Sequence, residues 1–148
     1  MPKLLDRHSG ALDAALDGDR PVVLVGKSMG SRVGCHLVTE RLDGRPVAGL
    51  VCLGYPLQGR SNVRDEVLLA LDRPVLFVQG TRDRLCPLEL LADVRSKMTA
   101  PNDLYVVEGG DHSLQLRKRD LAAMGTTQEE VDRAAQDAVR AWIRDLVG

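Results

Sequence analysis

Four short apolar runs divide this chain: Pro21-Val22-Val23-Leu24-Val25, Val47-Ala48-Gly49-Leu50-Val51-Cys52-Leu53, Pro74-Val75-Leu76-Phe77-Val78 and Asp103-Leu104-Tyr105-Val106-Val107. A strand with one wet face alternates apolar and polar side chains. These runs are continuous and rich in β-branched residues, which predicts strands covered on both faces, as in a parallel sheet. Each run closes on a glycine (Gly26, Gly54, Gly80, Gly109), which lets the chain turn sharply at the C-terminal edge of the sheet.

Helical patterns separate the runs. They span about Leu4–Leu16, Ser31–Leu42, Asn62–Leu71 and a segment opened by Pro87, with Leu88, Leu91, Val94 and Met98 on one face. The last helix has the plainest signature. Thr127 and Glu130 form a capping box, and Val131, Ala134, Ala138, Val139, Trp142 and Leu146 an apolar stripe. The alternation predicts one α/β domain over residues 1–148, with about four parallel strands and helices on both faces.

Composition narrows the functional classes. The net charge is -1 and aromatics make up 3%, so neither an electrostatic footprint for nucleic acid nor a stacking platform is expected. No run is long enough to span a membrane, and no signal peptide opens the chain. Three scattered cysteines without a CxxC pair suggest reduced thiols and a cytoplasmic setting. Cys35 and His36 are helix neighbours that cannot chelate together, so no metal and no cofactor is expected.

Gly26-Lys27-Ser28-Met29-Gly30 is a G-x-S-x-G motif placed after a strand and before a helix. That context puts a serine on a strained turn with its hydroxyl presented. The flanking glycines are expected to remove side chains that would collide there, and the Met29 amide to face a developing oxyanion. A P-loop is excluded because Pro21 stands where that motif needs its first glycine. A serine nucleophile needs a base. Of the three histidines, only His112, in Gly109-Gly110-Asp111-His112-Ser113, lies at the strands' C-terminal edge. Asp83, in Gly80-Thr81-Arg82-Asp83, leaves the preceding strand at that edge, whereas Asp111 adjoins His112 and the two side chains diverge. Each residue also has a plainer reading: Ser28 as a helix cap, Asp83 as a turn former, His112 as a loop residue. Arg117-Lys118-Arg119 reads as a solvated patch and Cys86 as a packed thiol.

The segments Gly26–Val33, Leu53-Gly54-Tyr55-Pro56-Leu57, Val78–Asp83 and Gly109–Ser113 resemble one α/β-hydrolase-like family. It is the family of testis-expressed protein thirty and the third subunit of the non-specific-lethal complex, grouped with dienelactone-hydrolase-like proteins. The resemblance runs from about Pro21 to Trp142 and implies a serine-hydrolase site at Ser28, Asp83 and His112. It implies no particular substrate. It also implies further strands before the first one seen here, including a loop that donates a second oxyanion N–H. The expectation is therefore a partial α/β-hydrolase fold lacking its N-terminal strands.

Two functions follow. One is a serine hydrolase acting on a small, accessible ester or related acyl substrate, its site left open by the short connection from Gly54 to Pro74. The other is a catalytically weak or inactive module that binds protein partners. The Val22–Val25 strand lacks an earlier neighbour and carries no charge, so a homodimer through that edge is also expected.

Overall fold

A computed structural model describes residues 1–42 and 46–148. The element order is α1 (Pro2–Ala15), β1 (Val22–Lys27), α2 (Met29–Glu40), β2 (Val47–Leu53), α3 (Glu66–Leu69), β3 (Val75–Gly80), α4 (Leu88–Lys97), β4 (Asn102–Val107), α5 (Lys118–Met124) and α6 (Gln128–Val147). The strands form one sheet in the order β1-β2-β3-β4, and every neighbouring pair is parallel. All four expected strands are present, and their C-terminal ends share one edge.

Two apolar layers sandwich the sheet. On one face Cys35, Val38, Leu68, Leu91 and Val94 from α2, α3 and α4 meet Leu50, Cys52, Val75 and Phe77, with Leu12 of α1 at the margin. On the other, Val131, Val139 and Trp142 of α6 meet Val51, Leu76 and Val78. Gly49 lets α6 approach: a Cβ there would stand 2.7 Å from Leu146 and 2.8 Å from the Pro74 carbonyl. The Trp142 indole also donates to Asp103 of β4 at 2.8 Å, tying the helix to the far edge. No described helix is long and apolar enough to cross a membrane.

The structure corrects the uniform burial read from the apolar runs. Every residue of β3 is buried, but Val25 of β1 is 54% exposed and Val106 of β4 is 39% exposed. The outer strands have one neighbour each; β1 pairs with β2 alone among the described residues. A groove of about 450 Å³ flanks β1, with His8 and Leu12 of α1 on one side and Gly30 and Val33 of α2 on the other.

The helix expected over Asn62–Leu71 is only the single turn of α3. Local hydrogen bonds capture the backbone before it. Gly59 N donates to Asn62 O at 2.8 Å, Arg64 N to Leu57 O at 2.7 Å, and the buried Tyr55 hydroxyl to Arg64 O at 2.9 Å. A phenol buried edge-on against Phe77 needs an acceptor, and the Arg64 carbonyl meets that need outside a helix. By contrast, the Thr127–Glu130 capping box forms as read.

Candidate active site

Ser28 lies between β1 and α2 with φ 50 and ψ -119, a left-handed backbone that costs a non-glycine residue about 1–3 kcal/mol. Its environment holds it there. Ser28 N donates to Leu53 O at 2.9 Å, carrying the β1–β2 ladder into the turn. The Ser31 hydroxyl donates to Ser28 O. Gly26 is required sterically: a Cβ there would lie 2.5 Å from the backbone C and O of Gly30. Gly30 is different. Its Cβ would meet nothing within 4 Å, so the symmetric role expected for both glycines holds for the first one alone.

Ser28 occupies the N-cap position of α2 but makes no side-chain cap, which sets aside the capping reading. Its Oγ lies 2.8 Å from His112 Nε2. His112 Nδ1 lies 2.8 Å from Asp83 Oδ2, and the Asp83 side chain is fully buried. Three residues from the ends of three elements, separated by 84 and 29 positions, thus form one hydrogen-bonded line. Asp83 also forms the local turn expected of an aspartate there, since Oδ1 accepts from Leu85 N at 2.8 Å. Asp111 takes no part in the line. Its Oδ1 accepts from Ser113 N and Gln115 N, which shapes the loop that carries His112.

The turns holding Asp83 and His112 are clamped together. Thr81 Oγ1 accepts from Gly109 N at 2.8 Å, and Arg82 donates to Gly110 O from its amide and to Gly109 O from its guanidinium. A Cβ at Gly80 would collide with the Gly110 carbonyl. Gly54 has φ +60, and a Cβ there would stand 2.7 Å from His112 O. Gln128 of α6 anchors the far side, accepting from Leu116 N and donating to Leu114 O.

One site residue was absent from the sequence reading. Gln79 is fully buried in β3 and donates from Nε2 to Asp83 Oδ2 at 2.6 Å, while its Oε1 is buried without a hydrogen-bond partner among the described residues. An orphaned buried acceptor costs about 1–3 kcal/mol. The signal was a polar side chain following Val75-Leu76-Phe77-Val78, four positions before Asp83. Cys86 lies near the same carboxylate; burial, then the Asp83 charge, pushes its thiol up to about 12.

Met29 opens α2 and is exposed, and its amide, the first of the helix, has no i−4 acceptor within it. Lys27 is exposed at the end of β1.

A strained serine at a strand–helix turn, lined up with a histidine and a buried aspartate at one edge of a parallel sheet, is the layout of an α/β hydrolase. The family model for the alpha/beta hydrolase domain matches residues 1–144, and the chain belongs to that family. Among curated proteins, the chain is 25% identical over 121 residues to protein sumv-2 of Caenorhabditis elegans, covering 80% of this chain and 10% of that protein. It is 27% identical over 96 residues to the uncharacterized protein YqkD of Bacillus subtilis, covering 62% of this chain and 32% of that one. The chain thus spans about a tenth and a third of these relatives. Among solved structures, a dienelactone hydrolase from Anabaena variabilis superposes with a TM-score of 0.69 at 19% identity, covering 97% of this chain and 60% of that one. The esterase domain of a Rhodothermus marinus protein gives 0.67 at 15% identity, covering 97% and 69%. At these identities the likeness is one of fold.

Proposed function

We propose that the chain carries the catalytic residues of a serine hydrolase that cleaves small esters or related acyl compounds. The observation supporting this is the unbroken Ser28–His112–Asp83 line, with both links at 2.8 Å, on a serine held in a strained backbone. With the Nδ1 proton donated to Asp83, His112 Nε2 has a lone pair for the Ser28 hydroxyl. Ser28 Oγ then attacks the carbonyl carbon as His112 takes its proton. The Met29 amide donates to the oxyanion of the tetrahedral adduct. His112 returns the proton to the leaving alkoxide, which departs and leaves an acyl-Ser28. Water, deprotonated by His112, releases the acid and restores the serine. Asp83 orients the imidazole throughout and stabilises its charged form.

Esters are the substrates to try first, since the structural neighbours include an esterase domain and a dienelactone hydrolase. A reducing compartment such as the cytoplasm remains part of this reading, on the ground of three scattered cysteines without a CxxC pair. Hydrolysis of p-nitrophenyl acetate tests the reading: Ser28→Ala and His112→Ala should each remove the enzymatic rate. A folded wild-type chain with no rate above these variants would contradict it.

A further inference from the structure

We infer that Gln79 is a positioning residue of the Ser28–His112–Asp83 site: its amide holds the Asp83 carboxylate and, through it, sets the pH range in which His112 acts as a base. The inference rests on the function proposed above. Three observations carry it. First, Gln79 occupies a strand whose six residues are all buried and whose preceding four are apolar, so a packing role would call for a hydrocarbon. Second, an amide placed there for structure alone would have both ends bonded. Gln79 has one end bonded, to Asp83 Oδ2 at 2.6 Å, and one end without a partner. Turning the amide over would point Oε1 at a carboxylate oxygen, so the orphaned acceptor is the consequence of delivering an N–H to Asp83. Third, the oxygen that receives it is the same Oδ2 that faces His112 Nδ1.

The effect on His112 has a definite sign. The buried carboxylate is served by three donors: Gln79 Nε2, His112 Nδ1 and Leu85 N. Each draws off part of its charge. Without the Gln79 donor, Oδ2 has His112 as its one remaining partner and stabilises the imidazolium more strongly. The neutral imidazole that serves as base is then reached at higher pH. Cys86 also lies close to Asp83; burial, then the Asp83 charge, pushes its thiol up to about 12, so it stays protonated over a neutral assay range, and the flanking Arg82 and Arg84 keep their charge there.

Gln79→Met keeps the volume while removing both the donor and the orphaned acceptor. With p-nitrophenyl acetate we expect kcat to fall roughly tenfold or more, because a carboxylate released on one side no longer fixes the imidazole in line with Ser28, and that misplacement outweighs the stronger pull on the imidazolium, with KM unchanged. The rising limb of the pH–rate profile should move to higher pH, and the melting temperature should stay near wild type. Gln79→Asn, one methylene too short to reach Asp83, keeps an amide in place should the Met variant fail to fold; the same loss and shift are expected. Wild-type kcat and an unmoved limb in either folded variant would overturn the inference. If the wild type is active and Asp83→Asn is crippled while the Gln79 variants behave as wild type, the positioning role fails and the hydrolase reading stands. A wild type without activity defeats the hydrolase reading itself.

Discussion

The two glycines of Gly26-Lys27-Ser28-Met29-Gly30 look equivalent in sequence and should respond oppositely to the same mutation. In Gly26→Ala the new Cβ starts 2.5 Å from Gly30 C, Gly30 O and Ser31 N, all backbone atoms that cannot rotate away. Relief to the 3.4 Å of ordinary contact requires the start of α2 to move away from β1 by roughly 0.9 Å, that is 3.4 minus 2.5. Ser28 lies between the two and moves with them. Its 2.8 Å bond to His112 would stretch by at most that amount, to about 3.7 Å, which is beyond hydrogen-bond range. Overpacking of this kind costs about 1–3 kcal/mol of stability, and a displacement near 1 Å at a reacting group costs about 100-fold in rate. Gly30→Ala meets nothing within 4 Å, sits at an exposed helical position and replaces the poorer helix former, a gain of about 0.5–1 kcal/mol. Thermal melts and ester hydrolysis on both variants test the pair. A Gly26→Ala protein with wild-type rate, or a Gly30→Ala protein as damaged as Gly26→Ala, would refute this steric reading of the turn.

Other outcomes follow from the same geometry. Asp83→Asn should reduce hydrolysis on the order of 10³–10⁴-fold, by the logic of an imidazole left in the wrong tautomer. Asp111→Asn keeps Oδ1 for the loop amides and should cost less than about tenfold; the reverse ranking would show that the carboxylate is misassigned. Stability should decline in alkali. Cys86 is held at about 12 against an ordinary 9.0, chiefly by burial, and Cys52 is raised by its hydrogen bond to Cys35 and by burial. The unfolded chain therefore loses thiol protons first. Stability is full below about pH 9 and falls as pH rises toward about 12, by about 1.4 kcal/mol per pH unit for each thiol involved. Denaturant melts between pH 8 and 11 would measure it, and a flat profile would contradict it. Finally, the 148-residue chain should self-associate through β1, whose outer edge has no strand partner among the described residues. The ordered form would pair two Val22–Val25 segments antiparallel about a two-fold axis. A stable monomer by light scattering at tens of micromolar would show that α1 and the groove beside it protect that edge.

The sheet was legible because its central strands are buried on both faces, and buried parallel strands are written as unbroken apolar runs; Val47–Leu53 matches β2 residue for residue. The runs could not tell centre from edge. Val22–Val25 reads as apolar as Val75–Val78, yet the first is half-covered and the second fully enclosed, because burial depends on neighbours that a local pattern does not encode. The meeting of Ser28, Asp83 and His112 was legible from chemistry combined with position, since each follows a strand at the same edge. The helical periodicity over Asn62–Leu71 misled because the Tyr55 hydroxyl and the Leu57 carbonyl, nine and seven residues before Arg64, take up the backbone of Arg64. α5 escaped notice because Arg117-Lys118-Arg119 is a charged opening to a seven-residue helix with no buried residue. Gln79 escaped because nothing in a strand pattern shows that a residue four positions upstream folds back onto the Asp83 carboxylate.

In the function proposed, His112 and the turn at Ser28 make this serine, and no other, a nucleophile. The most direct measurement is intact-mass and peptide mapping after exposure of the native chain to a fluorophosphonate. One adduct per chain is expected, on Ser28, absent from Ser28→Ala and strongly slowed in His112→Ala. A folded wild-type chain that takes up no label, or a Ser28→Ala chain labelled as readily as wild type, would contradict it.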